Sequence, residues 1–503
     1  METSEIAEWY KGQHVLVTGA TGFMGKILVE KILRSCPDVA AVYMVIRNKK
    51  GKNSTQRLEE FLNSPIFDNV KQQIDAKSIL QKLKCIGGDI TLQNCGMSPE
   101  DQTFLEKTVT SVFHMAANVK FDQPIKSAIL LNTGGTLNVL EWLCKLEKLK
   151  VFVHVSTSYC HCDVTQLEEK LYEAPQEPRK MLDLANWMSD DLLAALAPTI
   201  LRKYPNSYAY TKGLTEHLVA EYSQKIPIVI TRPSLVTAAY KEPIPGWIDN
   251  LNGPTGILVG AGKGVIRTMH CNLEYNADIV PVDMAINSLL TVAWKVGKEP
   301  KKNEVEVYNI TANRDDILKW GEALEICRKH VYDYPFSVCL WYPGGSAKSN
   351  YFVHCIAAFF FHIIPAYFVD FLMTLTGNKP FMIRIQKRVS QGLKLLQYYT
   401  TRPWYFHNDK LTRIYESLNE TDQQIFYSNR QKIDYNKYFL NYILATRKYC
   451  VKEDPSTLPH ARKVLRRLYY LDVAKNILLY GLLLWLFYIF VSKFLVDDRN
   501  SLF

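Results

Sequence analysis

Cysteine is scarce, at eleven of 503 residues. That is too few for a disulfide scaffold and points to reduced thiols in a cytosol-facing chain. No run of like charges stands out. Lys plus Arg is 60 and Asp plus Glu is 50, a net +10 spread along the chain. Without a basic stripe a nucleic-acid partner is not expected, and anionic lipid or a phosphorylated ligand is the better use of the excess. The opening Met1-Glu2-Thr3-Ser4-Glu5 lacks an apolar core, so no secretory signal is expected. The far end does not read Ser-Lys-Leu, so no peroxisomal import address is expected there. Internal repeats, a G-x-S-x-G elbow and a P-loop are also missing, which argues against solenoids, serine hydrolases and P-loop NTPases.

What is present is globular: 48% hydrophobic and 22% charged residues, enough to bury a large core. The length suggests roughly two or three domains. From Ile477 to Val496 the chain reads ILLYGLLLWLFYIFVSKFLV, close to the ~20 apolar residues that cross a bilayer. Lys493 sits where it can snorkel. Arg462, Lys463, Arg466 and Arg467 precede the run, which predicts a single-pass anchor with the bulk of the protein in the cytosol. A second apolar stretch, Tyr351–Leu375, contains His354, His362, Pro365 and Asp370. So many polar groups suit paired core helices, or a helix pair dipping into a membrane surface, better than a span. The Pro343-Gly344-Gly345-Ser346 cluster marks the expected boundary. The expected domains are a nucleotide-binding domain over 1–345, a helical domain over 346–450 and an anchor over 470–496.

The first part alternates strand and helix signals. Strand-like runs at 14–18, 42–46, 83–85, 111–114, 151–156 and 228–231 are separated by helical patterns such as 25–35 and 136–149. Such alternation predicts an α/β fold with a Rossmann-type, doubly wound parallel sheet. The first strand runs into Thr18-Gly19-Ala20-Thr21-Gly22-Phe23-Met24-Gly25, a G-x-x-G-x-x-G turn opening an amphipathic helix. Gly19 permits the tight turn, Gly22 lets backbone approach a pyrophosphate and Gly25 allows close helix packing. Thr21 and Phe23 belong to the same cofactor turn. After the second strand, an NAD site would place an acid; here Arg47-Asn48-Lys49-Lys50 stands instead. Cations there suit a ribose 2′-phosphate, so NADPH is the expected cofactor, with Arg47 its reader. Asp89 after the third strand could bond the adenine amino group, and Ala116-Ala117 after the fourth would let backbone pass the cofactor.

Ser156-Thr157-Ser158 follows the fifth strand, and Tyr208-Ala209-Tyr210-Thr211-Lys212 comes later. Tyr208 and Lys212, at i and i+4, share one helix face. The Lys charge favours a phenolate and should lower the Tyr pKa. The Tyr then donates a proton to a carbonyl oxygen as hydride arrives. A hydroxyl from Thr157 or Ser158 would polarise the same carbonyl. Arg232-Pro233-Ser234 is expected near the nicotinamide, with Pro233 in contact. Cys160-His161-Cys162 looks like half a metal site, but no second ligand pair follows, so ordinary packing is expected and no metal.

At this point a resemblance can be stated. TGATGFMGKILVEKILRSCP, the Y-x-x-x-K element and Pro245–Thr268, PGWIDNLNGPTGILVGAGKGVIRT, resemble alcohol-forming fatty acyl-CoA reductases of the animal type. These are members of the extended short-chain dehydrogenase/reductase superfamily. His362, Pro365-Ala366, Asp370 and Thr401-Arg402-Pro403-Trp404 are similar to the helical domain associated with those reductases. The resemblance spans nearly the whole chain. It implies NADPH, a helical C-terminal domain, membrane association and a long-chain acyl-CoA substrate. It implies two hydride transfers, the first releasing CoA from a hemithioacetal and the second turning the aldehyde into a primary alcohol. It carries the family's Tyr and Lys onto Tyr208 and Lys212 and its glycines onto Gly19, Gly22 and Gly25. Relatives often have Ala where Ser158 stands, which favours Thr157. Pro245–Arg267 is expected to line the acyl-CoA entrance, with Lys263 and Arg267 meeting the CoA phosphates. Self-association is compatible with all of this. A membrane-bound hydroxysteroid dehydrogenase, or a tethered NADPH-binding scaffold without chemistry, would share the cofactor features. The Gly246–Gly264 stretch argues against the first and the intact Tyr208–Lys212 pair against the second.

Overall fold

The computed structural model describes residues 3–47, 54–312, 317–428 and 433–500. Lys49 and Lys50, expected beside the cofactor, lie outside them. Seven parallel strands form the main sheet: β1 (His14–Thr18), β2 (Ala41–Ile46), β3 (Leu83–Gly87), β4 (Ser111–His114), β5 (Val151–Val155), β6 (Ile228–Pro233) and β7 (Glu306–Ile310). Their order is β7-β6-β5-β4-β1-β2-β3. The direction of winding reverses between β1 and β4, and a crevice opens at such a switch point beyond the carboxyl ends of the strands.

The strand sequences explain the layering. β4 and β5 are buried at every residue. A strand covered on both faces reads as a continuous apolar run rather than an alternation. The polar exceptions are Ser111 and two histidines. His114 bridges Thr18 Oγ1 at 2.7 Å and Thr136 Oγ1 at 3.0 Å, and burial pushes its pKa down to about 3. It stacks at 5.7 Å on His154, which burial also holds well below the usual imidazole value. Both rings therefore act as neutral core residues. The helices Phe23–Ser35, Ser207–Ala220 and Val282–Gly297 bury most of their side chains.

Backbone contacts group the chain into two compact units, and the units interleave along it. The first comprises 1–250, 272–323 and 394–442; the second comprises 251–271, 324–393 and 443–503. The main sheet belongs to the first. The Pro343–Ser346 cluster falls inside the second.

The second unit is mainly helical. Tyr351–Ala358 continues through a wider π turn, Phe359–Ile363, into Ile364–Leu375. Proline inside a helix normally removes an i→i−4 bond and breaks it. Pro365 is accommodated because it stands at the start of the helical segment that follows the π turn, where an N–H is least needed. Instead of a helix pair, this stretch is one continuous rod. The last described element, Leu458–Asn500, is 43 residues long and contains the apolar run at 477–496. Two segments, Tyr351–Leu375 and Pro455–Ser492, are long and apolar enough to cross a membrane.

Candidate active site

The turn after β1 is shaped by close backbone approach. Gly19 has φ +76, and a Cβ there would lie 2.7 Å from the Ala116 nitrogen. Only glycine suits both the left-handed conformation and that crossing. Gly22 is the N-cap of the Phe23–Ser35 helix and bonds back to the Gly19 carbonyl at 2.9 Å. No side chain caps this helix start, which leaves its first N–H groups for an anion. Gly25 is buried against the Gly19 carbonyl, while Thr21 and Phe23 are half-buried in the same turn. Phe23 stacks on Trp247 at 5.5 Å. This cradle fits the pyrophosphate of a dinucleotide.

The expected adenosine-side residues follow the neighbouring strands. Arg47 is exposed directly after β2, and its carbonyl accepts from the Arg57 guanidinium. Asp89, after β3, receives the Thr91 amide at 3.0 Å and the Thr91 hydroxyl at 2.8 Å on one carboxylate oxygen. Ala117 is half-buried after β4. Pro233 ends β6, where its carbonyl accepts from the Ser158 amide at 3.0 Å.

Beyond β5 the hydroxyls separate into roles. Ser158 Oγ donates to the Arg232 carbonyl at 2.7 Å and so ties two strand ends together. Thr157 instead lies beside the Tyr208 hydroxyl and pulls its pKa down, while its own Oγ1 accepts from the Tyr159 amide at 3.3 Å. Tyr208 lies in the first turn of the Ser207–Ala220 helix, which Asn206 caps by accepting from the Ala209 amide at 2.9 Å. The helix approaches the β5 loop closely at Gly213, where a Cβ would lie 2.8 Å from the Cys160 carbonyl. That glycine, beside Lys212, lets Thr157 and Tyr208 meet.

Lys212 is buried and donates to the Val155 carbonyl at 2.6 Å. Burial lowers its pKa to about 8, with Glu216 opposing part of the shift. Tyr208 moves in the direction opposite to the sequence expectation. Burial raises its pKa, and the neighbouring Thr157 hydroxyl only partly offsets this. The phenol keeps its proton, which is the state a proton donor needs. The Tyr208 ring stacks against Phe121 at 5.9 Å.

Three features escaped the motif reading. Glu216, one turn beyond Lys212, is fully buried and receives Arg232 through two bonds of 2.8 and 2.6 Å. Its carboxylate also meets His161 at 3.0 Å and the Cys160 thiol at 3.2 Å. Burial opposes its charge, but Arg232 and His161 outweigh burial and hold it well below the usual carboxylate range. His161 is correspondingly raised, to about 10. Cys160, His161 and Glu216 lie close enough to share an ion. The bidentate Arg232 already neutralises that carboxylate. Arg232, being fully buried, holds this cluster together rather than facing a ligand. The i+4 spacing from Lys212 was the available signal for Glu216.

The second is Asn132, in the π turn Ile129–Gly134. It accepts from the Asn118 amide at 2.8 Å and donates to Thr211 Oγ1 at 3.0 Å, joining the β4 loop to the Tyr208 helix. No local pattern announces it. The third concerns the expected acyl-CoA entrance. Trp247 and Ile248 are buried, not displayed. Arg267 lies 3.8 Å from Asp472 and donates to the Tyr342 carbonyl at 3.0 Å, and Lys263 lies 4.0 Å from Glu453. Both cations already have partners.

The chain can now be set beside known proteins. A family profile described as Male sterility protein matches residues 17–289, and a second with the same description matches 361–453. Fatty acyl-CoA reductase 1 of Xenopus laevis is 36% identical over 488 residues, covering 97% of this chain and 94% of that protein. Fatty acyl-CoA reductase 1 of Rattus norvegicus is 35% identical over the same coverage. Among solved structures, the terminal R domain from the myxalamid PKS-NRPS pathway aligns with a TM-score of 0.57 at 17% identity. It covers 87% of this chain and 90% of that one, a likeness of fold. A chain matched by these profiles in both halves and by these relatives nearly end to end belongs to the fatty acyl-CoA reductase family, within the extended short-chain dehydrogenases/reductases.

Proposed function

We propose that this chain reduces a long-chain fatty acyl-CoA to the primary fatty alcohol, releasing CoA, with NADPH as reductant. The observation that carries the reading is the close approach of the Ser207–Ala220 helix to the carboxyl end of β5 at Gly213, with Lys212 bonded to the Val155 carbonyl at 2.6 Å and Tyr208 beside Thr157. The Gly19–Gly25 turn would hold the pyrophosphate and Lys212 the nicotinamide ribose. Arg47 would meet the 2′-phosphate, Asp89 the adenine, and Ala117 and Pro233 would flank the nicotinamide side. A bound nicotinamide supplies hydride.

The residues of the chain do the rest. Thr157 orients the substrate carbonyl oxygen and Tyr208 delivers a proton to it. Burial keeps Tyr208 neutral until that moment, and the Lys212 ammonium then stabilises the phenolate left behind. After the first reduction the hemithioacetal expels CoA thiol. The aldehyde is reduced at the same hydroxyl pair, so Tyr208 must recover a proton between rounds. Ser158, spent on the Arg232 carbonyl, takes no part.

Ile477–Val496 would anchor the protein in a membrane, with the body on the side of its basic flank, in the cytosol, on the endoplasmic reticulum or a peroxisome. Within that reading the reductase domain is 1–345, the helical domain 346–450 and the anchor 470–496. The test is product analysis of the purified full chain with NADPH and palmitoyl-CoA, and in parallel with a sterol. Hexadecanol with free CoA supports the proposal. Turnover of the sterol alone, or none of either substrate, refutes it.

A further inference from the structure

We infer that the Tyr351–Leu375 rod is a second membrane-contact element that lies in the plane of the bilayer surface, one face on protein and the other in lipid. The polar residues that weigh against membrane contact in the sequence all face the protein. His362 Nε2 accepts from the Arg267 amide at 2.8 Å and the Thr268 amide at 3.3 Å. His354 Nδ1 pairs with Thr268 Oγ1 at 3.1 Å. Asp370 accepts from the Phe381, Met382 and Ile383 amides at 2.8, 2.7 and 2.9 Å, capping the helix that follows. In a regular α-helix, His354 and His362 would stand roughly 80° apart around the axis. The π turn between them takes up an extra residue and brings both onto one side.

With those groups spent, the other side is apolar apart from the Tyr367 hydroxyl. Phe352, Ile356, Phe360, Tyr367, Phe371 and Leu375 are each 56–77% exposed. A soluble protein seldom displays so large a patch without an occupant. Three observations name lipid as that occupant. The apolar anchor belongs to the same unit and leaves it close by: Arg267, whose amide holds His362 and whose guanidinium lies over Phe361, also pairs with Asp472, just before the apolar run. The patch is flanked by cations without acids, since after Asp370 the next carboxylate is Asp409. Lys379, Arg384, Lys387 and Arg388, all exposed, follow the rod directly. Such a cluster beside an apolar face suits anionic headgroups. Finally, the hydrogen bonds run from His354 to Asp370, along most of the rod, so one side stays on the protein throughout. A span would have to draw that protein body into the bilayer.

The test uses the full chain in phosphatidylcholine/phosphatidylserine vesicles. In a chain whose exposed Cys144 and Cys355 are replaced by serine, a single environment-sensitive fluorophore is placed in turn at Phe352, Phe360 and Phe371 through cysteine substitution, and lipids carry quenchers at known depths. A label at Leu483 reads the anchor separately. All three rod positions should be quenched from a common shallow depth, about 5–10 Å below the headgroup boundary. A depth that changes steadily from Phe352 to Phe371 means a span and overturns the inference. A blue-shifted but unquenched label means a second copy or other protein covers the face, and also overturns it. So does a water-like label at Phe360 while Leu483 is quenched, a result that would leave the anchor intact.

Discussion

Two apolar helical segments of this protein, each with a single aspartate, have opposite surroundings. Val282–Gly297 is buried along nearly its whole length within the first unit. Tyr351–Leu375, in the second, reaches a mean hydropathy of 1.9 over its most apolar stretch, and only 11% of that stretch is buried. Each carries one aspartate that accepts three consecutive backbone amides. Asp283 takes Tyr240, Lys241 and Glu242, and Asp370 takes Phe381, Met382 and Ile383. Polar residues inside an apolar helix therefore do not tell core from membrane surface. What differs is whether other elements cover the remaining faces, as the sheet does for the first and nothing among the described residues does for the second.

The sharpest way to break this comparison is to place the same charge on both segments. Ile286→Asp would bury an unpaired carboxylate and should cost about 3–5 kcal/mol or more, enough to prevent folding. Phe371→Asp should leave thermal unfolding nearly unchanged while weakening vesicle binding. Equal loss of folded protein in both would mean the rod is covered after all.

Chemistry and membrane contact should also separate by unit. Tyr208→Phe should lower turnover by about 10²–10⁴ while cofactor binding and membrane retention stay as in the parent. Thr157→Ala should follow it and Ser158→Ala should not, because Thr157 lies beside the phenol whereas Ser158 is spent on the Arg232 carbonyl. Near-normal turnover of Tyr208→Phe would assign the proton to another group.

A smaller effect is expected at the edge of the sheet unit. Arg47→Asp removes one charge-assisted contact of about 1.5–3 kcal/mol, so NADPH should weaken roughly tenfold or more relative to NADH. Indifference of the parent protein to the two cofactors would remove Arg47 from the reading.

The mildest change is in pH dependence. Lys212 holds its proton below about pH 8 and loses it above. Reduction should therefore fall as pH rises through that value. Lys212→Arg, which stays charged, should move the alkaline limb upward; a limb that stays in place belongs to a different group.

Much of the dinucleotide unit could be read without coordinates. Its signals are local: a glycine turn between strand and helix, apolar strands of the right length, and a Tyr and Lys one helical turn apart. Each follows from backbone geometry within a few residues of the position concerned. The Gly19 turn and the positions of six of the strands needed nothing further. The choice among Ser156, Thr157 and Ser158 was different. It depends on the close approach at Gly213 and on a carbonyl of β6, both far along the chain. The direction of the Tyr208 shift was likewise invisible, because burial is set by everything packed around the ring and not by the lysine one turn away.

The amino-acid order alone determined the α/β class, the nucleotide turn and the family, since these rest on periodicity and short-range stereochemistry. Only the tertiary structure decided that Lys263 and Arg267 are paired with acids at Glu453 and Asp472, that Glu216 is neutralised by Arg232, and that His354, His362 and Asp370 turn to one side of an otherwise apolar rod. Hydropathy adds up residues without regard to direction. Where a side chain points, and which distant backbone group meets it, is fixed by packing, because a buried polar atom must find its partner wherever the folded chain supplies one.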